Sequence, residues 1–142
     1  MPKADQVNWQ PISQMPLIAG MIKESLNDTR EHLATLAEAE AQPHVLDDAT
    51  IARVEQVHTE QMKFVDIYSQ QIGRWRTEKP SASQARELDE MAEQNQQLRD
   101  VTADVLVLAQ ELRKGTIERI LGKTDVELGL QALLGTQMPS RR

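Results

Sequence analysis

Glu55-x-x-His58 sets a carboxylate and an imidazole one helical turn apart, the pairing that feeds ligands to di-iron and di-manganese centres in helical bundles. Such a centre takes two of these pairs and one further Glu from each of two other helices, all pointing inward. This chain carries the pair once. Asp28 and His32 add a second carboxylate and imidazole at i,i+4, which falls short of that set, so no metal ligand is assigned. The chain has no cysteine, which excludes thiolate zinc sites, iron–sulfur clusters, disulfides and thiol nucleophiles. Its serines lie mostly at helix caps and breaks, where local backbone hydrogen bonding accounts for them. No G-x-S-x-G, phosphate loop or dinucleotide fingerprint occurs, and Gly122 to Gly129 has neither the spacing nor a preceding strand. No catalytic residue, cofactor-binding residue or cofactor is therefore assigned, and the chain reads as a non-enzyme.

Polar residues that interrupt apolar seams are the more informative set. Thr29, His58, Gln61 and Asn95, with Thr102 as a further candidate, fall at positions where a helix would face its neighbours. A buried polar group left without a partner costs about 1–3 kcal/mol, so these residues must bond one another or the backbone. Such a layer can fix register or oligomeric state. The sharper alternative is a ligand pocket. Arg74-Trp75-Arg76 has the types that stack on a base or bind phosphate, but Trp75 as core, with the arginines at the carbonyl end of a helix, accounts for them more simply. Asp47 and Asp48, after His44, read as helix caps rather than ligands.

Three stretches of helical periodicity must position these groups. The first, 14–41, opens with Ser13 as a candidate cap and Pro16 in the first turn, and carries Ile18, Ile22, Leu26, Thr29, Leu33 and Leu36 on one face. Gln42-Pro43-His44 ends it. The second, 47–79, places Ile51, Val54, His58, Gln61, Val65, Tyr68, Ile72 and Trp75 on a seam that Val57 and Phe64 widen. A stripe this broad suits two neighbours rather than one. The third, 83–115, follows Pro80, with Ser81 and Gln84 spaced as a capping box and Ser83 as the rival cap. After Gly115 the pattern changes. Gly122 reads as a stop and Thr124-x-x-Glu127 as the cap of a short helix closed by Gly135, giving a helical appendage over 116–135. Residues 1–13 form an N-terminal arm and 136–142 a frayed tail.

The 142 residues make one domain, with 39% hydrophobic and only 3% aromatic residues. Its core must be built from Leu, Ile, Val, Met and Ala, which argues against a β-sandwich or barrel. The fold expected is all-α, an elongated up-down-up antiparallel three-helix bundle with the appendage at its C-terminal end. A formal charge of −6 argues against a general nucleic-acid binder. The longest apolar run, Val105 to Ala109, is far too short to span a bilayer, and acidic faces would repel anionic lipid. No leader pattern opens the chain, so a cytoplasmic protein with no membrane partner is expected. Ile117, Ile120, Leu121, Val126, Leu130, Leu133 and Leu134 make the appendage apolar on more than one face, so it must cap the bundle or meet another chain.

The leading expectation is a helical interaction protein that self-associates, most simply as a dimer, or docks a partner helix. In size, acidity, long helices and the run Gln94-Asn95-Gln96-Gln97-Leu98, the chain resembles flagellar export chaperones, a likeness of composition. That resemblance implies an alternative, a small secretion or assembly chaperone shielding an amphipathic helix. A metal- or ligand-using bundle enzyme is the third reading.

Overall fold

The computed structural model describes residues 7–42 and 46–134, with side chains as far as Gly115. Within these bounds the chain forms a short 3-10 turn, Ile12–Gln14, and three helices: α1, Met15–Ala41; α2, Asp48–Arg76; and α3, Ala82–Leu134. The described residues contain no strand, and the architecture is an all-α helical bundle.

Local chemistry explains most of the boundaries. Asp47 accepts the Thr50 N–H at 2.8 Å and opens α2, and that bond holds its carboxyl below the usual range. Thr77 closes the helix by donating its N–H and its hydroxyl to the Arg74 carbonyl, and Lys79 at φ 52° then turns the chain ahead of Pro80. Because these bonds take up the last carbonyls, α2 stops at Arg76, short of the expected 79. Ser81 and Gln84 make the reciprocal capping box, so Ser81 rather than Ser83 starts α3. At α1 the expected cap is corrected. Ser13 lies inside the 3-10 turn, no side chain caps the helix, and Pro16 supplies the preset first turn. Pro43 and His44 lie outside the described residues.

The C-terminal expectation is also corrected. Gly115 and Gly122 do not interrupt α3, and no helix begins at Thr124-x-x-Glu127, because the backbone is one helix of 53 residues. A glycine inside a helix costs about 1 kcal/mol relative to alanine but ends it only where the chain also turns left-handed. There is thus no separate appendage folded against the bundle end. The side chains of Ile117, Ile120, Leu121, Val126, Leu130, Leu133 and Leu134 lie outside the described residues.

α3 is the spine. Leu88, Met91, Leu98 and Val101 of α3 join Ile22 and Leu26 of α1 and Val65, Ile72 and Trp75 of α2 in one core. Antiparallel α2 is pinned to α3 by Arg76–Asp89 at 2.7 Å, Arg99–Asp66 at 2.8 Å and Arg113–Glu55. Parallel α1 is joined to it by Arg30 donating to Gln97 at 2.9 Å. The backbones of α1 and α2 approach α3 closely along their lengths and scarcely approach each other. At one end the N-terminal arm docks on α2: the Trp75 indole N–H donates to the Gln10 carbonyl, the Gln10 N–H to Gln71 Oε1, and Arg74 stacks on Trp9. Leu98→Ala, at a position with no solvent exposure on the face α3 presents to both neighbours, is expected to cost about 2–5 kcal/mol in urea unfolding. A loss below about 1 kcal/mol would mean that α3 is not the shared core element.

Candidate docking groove between α1 and α2

Because α1 and α2 lean on α3 and not on each other, a groove runs between them on the side away from α3. Along it lies a cleft of about 1000 Å³ lined by Ser25 of α1 and, on α2, by Val57, Phe64 and Tyr68 together with Arg53, Gln56 and Glu60. Nearer the α1–α2 connection a second cleft, about 300 Å³, lies among His32, Leu36, Leu46, Val54, Val57 and His58. Val57 and Phe64 are 50% and 48% exposed, although the sequence pattern makes them part of the buried stripe. Phe64 sits beside Tyr68, ring centroids 6.5 Å apart, and burial pushes the Tyr68 phenol up from its usual value.

The floor of the groove is polar and closely paired. Gln61 donates one amide hydrogen to Thr29 Oγ1 at 2.8 Å and the other to Thr102 Oγ1 at 2.9 Å. Each hydroxyl passes its own hydrogen to a helix carbonyl, Thr29 to Ser25 at 2.7 Å and Thr102 to Leu98 at 2.6 Å. One amide therefore ties all three helices together with both of its hydrogens used.

Just under one turn further toward the connection (three residues before Gln61), His58 makes the second crossing. The Val54 carbonyl, 2.7 Å from His58 Nδ1, can only accept, so Nδ1 carries the hydrogen and Nε2 of the neutral ring accepts. His32 Nδ1, 3.3 Å away, therefore donates to it from α1, with the rings edge to face. Burial lowers the His58 pKa from its ordinary 6.5 and the charge of His32 lowers it further, against the raising effect of the Val54 bond.

Of the residues expected in a polar layer, the structure brings Thr29, Gln61 and Thr102 into one network and sets His58 beside it. Asn95 is separate: it donates to the Val65 carbonyl at 3.0 Å, deeper between α2 and α3, and its Oδ1 is buried without a partner. The Glu55-x-x-His58 pair is divided, since Glu55 turns to Arg113 on α3 while His58 turns to α1. Among the described residues no three His, Asp or Glu side chains converge as a metal would require, and no helix is long and apolar enough to cross a membrane. Sequence reasoning missed the groove itself and the contact of His32 with His58. The excess breadth of the α2 stripe at Val57 and Phe64 was the available signal.

Compared with known protein families, curated proteins and solved structures, the chain matches none.

Two outcomes follow from the floor. Thr29→Val with Thr102→Val leaves both Gln61 amide hydrogens unpaired and is expected to cost about 1–3 kcal/mol in urea unfolding, most of it recovered by adding Gln61→Met. Because folding depresses the His58 pKa, the unfolded chain binds more protons below pH 6.5. Stability should therefore fall as pH drops from 7 through 6, by at most about 1.4 kcal/mol per pH unit. His58→Gln should flatten that part of the profile; an unchanged slope would place the titration elsewhere.

Proposed function

We propose that this chain is a non-enzymatic helical interaction protein whose α1/α2 groove receives an amphipathic helix and so completes a four-helix bundle. The observation that carries the reading is the spacing of the helices: α1 and α2 both pack along α3 and stay apart, as diagonal corners of a four-helix bundle do. The corner opposite α3 is a groove where Val57 and Phe64 of α2 stand half exposed among Arg53, Gln56 and Glu60, above a floor whose hydrogen bonds are already made. An incoming amphipathic helix would bury Val57 and Phe64 and meet Arg53 and Glu60 with its polar flanks, without having to satisfy that floor. Helix-in-groove recognition works through such apolar anchor points. A secretion or assembly chaperone would use the same groove, so that alternative differs in the identity of the guest and not in the site.

The cysteine-free sequence makes a direct test simple. Phe64→Cys, labelled with an environment-sensitive fluorophore, is titrated with unlabelled chain and, separately, with 18-residue Leu-rich amphipathic peptides of either net charge. A saturable blue shift with at least one of these ligands, abolished by Val57→Lys, is the expected result. No saturable shift with any of them across the micromolar range would overturn the reading.

A further inference from the structure

α3 is too long for the bundle it organises. Its 53 residues span about 80 Å, against about 40 Å for the 27 residues of α1 and about 44 Å for the 29 of α2. The pairing of Glu55 with Arg113 sets the register, and one residue of antiparallel α2 backs one of α3. The start of α2 at Asp48 is then level with about residue 120 of α3, which leaves about 15 residues, roughly 22 Å, beyond the bundle. The open groove is of comparable length: from Asp48 to Tyr68 is about 20 residues, roughly 30 Å, and beyond it the N-terminal arm is bonded to Gln71 and Trp75.

We propose that the helix that fills the groove is the C-terminal end of α3 from a second copy of this chain, the two copies forming an antiparallel dimer in which each α3 runs the length of its own half and on into its partner's groove. The proposal rests on the docking reading of the groove and names its occupant. A two-fold axis perpendicular to the helices, placed at the α1–α2 connection, stacks the two hairpins end to end, and each α3 then reaches about 22 Å past the axis, alongside the connection-side half of its partner's hairpin. The same operation carries each α3 into the corner its partner leaves vacant. α3 cannot serve its own groove, because it is continuous to Leu134 and the groove lies on the opposite side of the bundle. The stretch that leaves the bundle carries Ile120, Leu121, Leu130, Leu133 and Leu134, apolar residues in a chain that is otherwise 27% charged. In this dimer the partner's Leu130 is level with Val57.

The test uses full-length chains throughout. Single-cysteine variants Val57→Cys and Leu130→Cys are mixed and treated with a short bis-maleimide. A mixed cross-link at twice 16.1 kDa is expected, with none between Leu17→Cys and Leu130→Cys, since Leu17 is exposed near the far end of α1. In parallel, Leu121→Asp with Leu133→Asp should take the sedimentation mass from two chains to one while the helical circular dichroism stays largely intact. A single-chain mass for the unsubstituted protein across the micromolar range overturns the proposal. So does a dimer that joins Val57→Cys to Val57→Cys and not to Leu130→Cys. If the groove reports a saturable peptide complex in that event, docking stands and only the occupant is wrong.

Discussion

Both α1 and α2 must bury an apolar stripe, and both do so on α3. One helix thus supplies the floor for two neighbours, and its core residues Leu88, Met91, Leu98 and Val101 meet side chains from both. A compact three-helix bundle closes a triangle in which each pair of helices shares a seam. Here the third seam is replaced by polar bridges, and the rest of the structure follows from that substitution. Gln61 and the His32–His58 contact hold α1 and α2 at side-chain reach instead of backbone contact. Val57 and Phe64, which a closed triangle would cover, remain half exposed.

The polar bridges specify more than they stabilise. A satisfied hydrogen bond contributes about 1 kcal/mol net, whereas an unpaired buried group costs more, so the network penalises any sliding of α1 along α2. Gln61 finds two acceptors only in one register of all three helices. The His58 ring has its orientation set by the Val54 carbonyl, which leaves one nitrogen to receive His32. Protonating His58 at Nε2 would remove the acceptor that His32 Nδ1 uses.

Much of the fold was legible in the sequence, and the limits have physical causes. Periodicity in threes and fours found the helices, and the Ser81–Gln84 capping box and the Asp47 cap carry their chemistry locally. Thr29 and Gln61 stood out because polar residues on an apolar face need each other. Asn95 stood out for the same reason but bonds the backbone of α2 instead, a choice made by tertiary geometry that no spacing encodes. Gly115 and Gly122 misled because glycine marks both the tolerated interior and the true end of a helix, and only the following turn separates the two. The groove was out of reach: which seams close depends on how far apart α1 and α2 stand on α3, a property of packing rather than of any one helix.

A four-helix cross-section assembled from two chains is the claim on which the functional reading turns. Small-angle X-ray scattering from the intact protein, recorded directly from a sizing column, tests it most directly. The dimer requires the mass of two chains and a rod that is four helices thick over roughly its central 44 Å and three helices thick toward either end. The mass of one chain, with a profile that thins from three helices to one, would contradict it.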